Sequence, residues 1–228
     1  MLAIIKAMKN VLLFYILLAV STMYGQKYFE GEINYKIEYE SINPNIPKEY
    51  LETELGKSFT AYVKEDRYAM IYHGTGQQGW MKIIVRLDQG FSYTEFEKSD
   101  TIMKTKFGKE KDELIEFKRN KNDQKIILGQ SCESISIAYK ATNSESFFQT
   151  FKGKYYFDPR YKLNKNLYEK YTDGFWNLFV KESESISIRS ETAFYPFFKV
   201  VQEAISIEIK EMSFSLFEPD ESKIINEK

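Results

Sequence analysis

Apolar and polar positions alternate along the first clear element of this chain. Across residues 29–40, Phe29, Ile33, Tyr35, Ile37 and Tyr39 stand on odd positions, while Glu30, Glu32, Asn34, Lys36, Glu38 and Glu40 stand on even ones. A period of two turns successive side chains to opposite faces of a strand, so one face meets a core and the other meets water. A parallel strand covered on both faces would not carry four glutamates on one of them, so the sheet is expected to be antiparallel.

The pattern recurs downstream. Met81, Ile83, Val85 and Leu87 alternate with Lys82, Ile84, Arg86 and Asp88. Asp88, Gln89 and Gly90 supply turn chemistry, and residues 91–96 read as the returning strand of a hairpin. Further strands are expected at 102–107, 126–128, 134–139, 147–157 and 185–192. Residues 204–217 read as one strand whose apolar phase flips near Lys210 and Glu211, as a bulge or bend would make it. Curved sheets use such bends.

Helical signals are sparse. Residues 47–57 (PKEYLETELGK) open on proline, space Tyr50, Leu51 and Leu55 helically and meet Gly56 near the end. Residues 197–205 could form a second short helix. Residues 109–125, of which 11 are charged, read as an exposed loop with at most one helical turn at 113–117. With neither a linker nor an internal repeat, residues 26–228 are expected to form a single β-rich domain. Its fold class is mainly β (α+β): a curved antiparallel sheet or incomplete β-barrel with a few short helices.

The front of the chain changes the setting. Lys6 and Lys9 precede an apolar run at 11–20 (VLLFYILLAV), and the small residues Ala19, Ser21 and Gly25 follow. This is the pattern of a secretory signal peptide over residues 1–25. The run is half of the ~20 residues a bilayer-spanning helix needs, so no transmembrane helix is expected in the mature chain. Cleavage after Ser21 and cleavage after Gly25 both fit. Neither site has a cysteine beside it, so N-terminal lipidation lacks its sulfur. The expected location is periplasmic or secreted, in a Gram-negative envelope.

Removing residues 1–25 takes two of the 32 basic residues and none of the 33 acidic ones, leaving a net charge of −3. The charges are interspersed, without the clustered basic face that nucleic acid requires. Cys132 is the single cysteine, so no internal disulfide forms; flanked by Ser131 and Glu133, it reads as a small buried hydrophobe.

Motifs for chemistry are weak. Residues 74–79 (GTGQQG) match the G-x-G-x-x-G spacing of dinucleotide-binding loops, but a strand pattern follows where a helix should open. The segment reads as a hairpin loop, with Trp80 at its edge. His73 is the only histidine. A single imidazole with a single thiol does not make a typical zinc site, and no serine nucleophile elbow accompanies it. Glu30, Glu32, Glu38 and Glu40 share the wet face of a strand, and Asp158 before Pro159 is turn chemistry. No catalytic residue, metal ligand or cofactor is assigned, and the chain is read as non-enzymatic.

The aromatic content is the more unusual feature, with 18 Phe, 17 Tyr and 2 Trp. One dense patch is Phe194, Tyr195, Phe197 and Phe198; another region carries Tyr155, Tyr156, Phe157, Tyr161, Tyr168, Tyr171, Phe175 and Trp176. Such residues fill cores and line apolar clefts, and tyrosine also marks protein interfaces.

The order of these features resembles the GLPGLI-type group of exported Bacteroidota proteins and its relatives of unknown function. The matching pieces are a leader ending near Gln26, the opening strand FEGEINYKIEYE, ILGQSC at 127–132 leading into a strand, the aromatic segment GKYYFDP, a glycine-containing segment at 173–180 and a closing apolar strand ending in Phe217 and Pro219. At the position of the name-giving motif this chain reads GFWNLF. The group is similar in architecture to periplasmic lipoprotein-carrier proteins, in which helices plug the concave side of a curved sheet. That likeness is one of fold; export, the aromatic excess and the lack of a catalytic constellation lead to the expectation of an apolar ligand, a lipid or lipoprotein-like group, held in a concave sheet. The alternative expectation is an envelope protein–protein interaction or structural module. No site residues carry over from the group.

Overall fold

The computed structural model describes residues 28–108, 112–143 and 148–227. The leader expected at 1–25 lies outside them, as do residue 147 of the strand expected at 147–157 and the first three residues of the loop expected at 109–125.

In chain order the elements are β1 (Gly31–Ser41), α1 (Lys48–Leu55), β2 (Ser58–Val63), β3 (Arg67–Tyr72), β4 (Met81–Arg86), β5 (Phe91–Phe96) and β6 (Thr101–Lys106). They continue with β7 (Glu113–Ile127), β8 (Gln130–Lys140), β9 (Thr150–Lys162), α2 (Trp176–Ser183), β10 (Ser185–Tyr195), β11 (Phe198–Ile209) and β12 (Ile224–Glu227). The strands form one open, curved sheet in the order β12-β6-β5-β4-β3-β2-β1-β11-β10-β9-β8-β7. The fold is mainly β, as the alternation predicts. Every neighbouring pair is antiparallel except the first, where β12 lies parallel to β6. Among the described residues no helix is long and apolar enough to cross a membrane.

The strand register separates two faces. Val63↔Tyr68↔Val85 and Phe59↔Tyr72↔Met81 run along the concave face of β2–β4, continuous with Ile33, Tyr35, Ile37 and Tyr39 of β1. There the main core forms, with Phe179 and Val180 of α2 fully buried against it. Burying two such side chains stabilises α2 by roughly 1.5–3 kcal/mol each. The convex face of β2–β6 carries a second core, in which Ala69, Ile84, Tyr93 and Ile102 meet Met212 and Phe217 of the chain's last segment.

Four expectations need correction. Residues 197–205 form no helix: Phe197 lies in a turn and 198–205 belong to β11, where Phe198, Val200 and Ala204 point into the main core. Pairing with β1 along its whole length overrides a weak helical pattern. The highly charged segment is not a loop, since residues 113–127 form the edge strand β7. An edge strand needs pairing on one side only, and charge suits its free side. Its residues 121–124 bulge out opposite β8, and Asp123 reaches past β8 to hold Lys154 of β9 at 2.5 Å. The phase flip at residues 204–217 is a strand end, not a bulge: β11 stops at Ile209 and a 3₁₀ turn follows at Phe214–Phe217. β11 does carry one register shift, but it leaves out Ile205, between the pairs Asn34↔Ser206 and Tyr35↔Ala204, ahead of the phase flip. Lastly, the antiparallel expectation fails at β12 alone.

Candidate functional site

The concave face holds a cavity of about 160 Å³. Its floor is the sheet: Tyr35 from β1, Phe59, Ala61 and Val63 from β2, Tyr68 and Met70 from β3, Tyr155 from β9, Ile186, Ser187 and Ser190 from β10, and Gln202 from β11. Its roof is the connection from β9 to β10, through Leu163, Tyr168, Tyr171, Trp176 and Val180.

Local sequence explains how the roof is held over the floor. Asn164 accepts a hydrogen bond from the Asn166 amide and starts a 3₁₀ turn that buries Tyr168. Gly174 and Phe175 both adopt left-handed backbone, φ 58° and 61°, before α2 begins. Glycine does so freely, whereas for a bulky phenylalanine the conformation costs of order 1–3 kcal/mol and persists only where its surroundings hold it. The Phe175 ring packs 5.4 Å from that of Tyr139, and this contact offsets the cost of the turn that delivers Trp176 to the cavity. Trp176 then meets Tyr155 at 5.2 Å and Phe179 edge-on at 4.9 Å.

On the floor, Tyr35, Phe59 and Tyr72 stack in a row across three strands, with centroids 4.2 and 4.8 Å apart. Such offset stacks add to the gain from burial alone.

Few polar atoms reach the cavity, and three hydrogen bonds with neutral partners engage most of them. The Tyr35 hydroxyl donates to the Ser187 carbonyl at 2.8 Å, Tyr68 donates to the Tyr171 hydroxyl at 3.1 Å, and Ser190 donates to Gln202 Oε1 at 3.1 Å. Burial raises the pKa of the cavity phenols. Tyr171 is pushed up to about 12, chiefly by desolvation, and the Asp173 charge adds to it. Tyr35, Tyr155 and Tyr168 rise further, and Tyr68 is held well above its usual value, in each case first by burial. A site that disfavours phenolate this strongly disfavours any negative charge.

The second aromatic region of the sequence therefore divides. Tyr155, Tyr168, Tyr171 and Trp176 line the cavity. Phe157 packs on Phe179 and Tyr161 on Phe29 in the surrounding core. The patch at 194–198 is separate: Phe194 packs on Phe151, Phe198 and Phe148 within 5.0 Å. Sequence reading missed the contribution of β2 and β3 to the floor, and it missed Ser190 and Gln202. The alternation of Phe59, Ala61 and Val63 was the available signal for β2; the two polar residues carried none.

The remaining singled-out residues lie elsewhere. His73 is exposed just past the end of β3, with Nε2 3.2 Å from Thr60 Oγ1. Cys132 is buried in β8, and five strands separate its strand from β3. Burial, with the nearby Asp158 charge, pushes its thiol up to about 11. Residues 74–79 form the β3–β4 loop, whose Gln77 amide donates to the Glu54 carboxylate; a strand follows. The glutamates of β1 are ion-paired on the convex face, Glu40 with Lys199 at 2.7 Å and Glu32 with Lys210 at 2.9 Å. Asp158 is clamped by Arg160 at 2.6 Å.

No family model and no curated protein matches the chain. Among solved structures, an uncharacterized conserved protein from Thermus thermophilus aligns with 89% of this chain and 92% of its own, at 4% identity and a TM-score of 0.47.

Proposed function

We propose that this is an exported, non-enzymatic envelope protein, periplasmic or secreted, that holds a small apolar ligand, or one apolar group of a larger lipid, on the concave face of its sheet. The observation that carries the reading is the cavity itself: about 160 Å³ between an apolar floor and a largely aromatic roof. An apolar cavity of comparable size in another protein stays dry and takes up benzene, because water gains too few hydrogen bonds there. The same volume is below the ~300 Å³ at which drug-sized ligand sites begin, so the site suits one ring or a short segment of chain. Retention rests on apolar burial, at roughly 25 cal/mol per Å².

The test is mass spectrometry of an organic extract of the protein purified from its native compartment, beside a delipidated sample offered benzene in calorimetry. A stoichiometric apolar molecule or measurable benzene uptake supports the reading. An empty extract together with no benzene heat overturns it.

A second reading, an envelope interaction module, is favoured by the edge strand β7, which exposes Ile115 (59%) and Ile126 (73%). Edge strands with exposed apolar residues pair readily with other chains.

A further inference from the structure

The cavity's chemistry narrows what it accepts, on the ligand-binding reading given above. Among the described residues that line it, none carries a charge: the polar ones are tyrosines, Ser187, Ser190 and Gln202. A carboxylate or phosphate entering here would lose its water without gaining a cation, and an unpaired charge in an apolar site is the costliest group to bury. Asp173, in the roof segment, lies close enough to raise the Tyr171 phenol and would repel an anion further. Its Oδ1 is engaged by the Gly108 amide at 3.0 Å.

The neutral hydrogen-bonding capacity, by contrast, is not used up. Tyr68 and Tyr171 share one hydrogen bond at 3.1 Å. Two phenols bring two O–H protons, so whichever of them donates in that bond, the pair keeps one proton for a further acceptor. That proton lies where floor meets roof, on the wall of a mostly apolar cavity.

We propose that the ligand is uncharged: an apolar body bearing one hydroxyl or carbonyl oxygen, seated against the Tyr68–Tyr171 hydroxyl pair, with ionised fatty acids excluded. Alcohols and esters belong to this class, and free carboxylates do not.

The experiment is calorimetric titration of the purified, delipidated protein with 1-hexanol, hexanoate and benzene at neutral pH, where hexanoate is ionised. We expect 1-hexanol to bind at least about tenfold more tightly than hexanoate. Removing both hydroxyls together, in Tyr68→Phe/Tyr171→Phe, should weaken 1-hexanol about three- to tenfold more than it weakens benzene, the signature of one lost hydrogen bond. Equal binding of 1-hexanol and hexanoate would overturn the proposal while the cavity reading stood. Failure of both 1-hexanol and benzene to bind would remove the cavity reading, and this inference with it. The headgroup comparison uses the unaltered protein, so it decides the matter even if the double variant does not fold.

Discussion

The hydroxyls of Tyr68 and Tyr171 meet at 3.1 Å and tie strand β3 to the connection that roofs the concave face. Tyr68→Phe keeps the ring and deletes the bond. We expect a loss of about 0.5–1.5 kcal/mol, the net value of one such bond. For a chain of this size that lowers Tm by roughly 2–4 °C per kcal/mol, read by differential scanning calorimetry. An unchanged Tm would mean that the roof is held by ring packing alone.

The C-terminal segment is held on the convex face by two devices of different strength. Phe217 is fully buried beside Ile84 and Ile102. Phe217→Ala should cost about 3–5 kcal/mol. Glu218 accepts two hydrogen bonds from the Arg86 guanidinium, both at 2.9 Å, but its side chain is 48% exposed. Solvent screening brings Glu218→Ala down to about 1 kcal/mol. Urea titration should rank the two in that order, with proteolysis of Phe217→Ala starting in residues 210–227.

Stability should fall at both ends of the pH scale. Asp66 and Asp88 are held below the usual carboxylate range by hydrogen bonds from Arg67 and Arg86 respectively. For Asp158 desolvation pushes upward, and hydrogen bonds from Arg160 outweigh it and hold the carboxyl low. Depressed carboxylates contribute stability above their unfolded value near 4, and it is lost as pH falls through the lower folded values. At the alkaline end, Tyr171 rises to about 12 and the other cavity phenols rise with it. Their contribution is complete below the unfolded value near 10 and disappears as pH rises through the folded ones. Tyrosinate absorbance should therefore show a late step that coincides with loss of circular dichroism. Ionisation of these buried phenols in a still-folded protein would contradict the buried assignment.

Cys132 should resist thiol reagents at neutral pH. Its thiol is buried and pushed up to about 11, so little thiolate exists to react. Labelling in native buffer should be slow and become fast in denaturant. Rapid native labelling would show that β8 opens locally.

Gly153 lies on the floor of the concave face, where an added Cβ would stand 2.7 Å from Cε2 of the Tyr155 ring. The obstructing atoms are the far end of a side chain, so Gly153→Ala is expected to fold with the ring displaced. Tyr155 lines the cavity, and benzene uptake should weaken. Undiminished uptake in calorimetry would show that this ring does not shape the site.

The sequence by itself determined the fold class, because period-two alternation is a local property of a strand with one wet face. It marked β1, the β4–β5 hairpin and the proline-led helix α1, and it marked an aromatic region that supplies much of the roof. It did not determine which strands are neighbours. Ile84 stands between Lys82 and Arg86 and reads as a wet position, yet it is fully buried, because Met212 and Phe217 arrive from more than a hundred residues away to cover it. The charged segment became an edge strand because β8 was there to pair with it. The cavity likewise exists only once β2, β3 and β9–β11 are brought under one roof. Burial and pairing are relations between distant residues, and only the tertiary structure decides them.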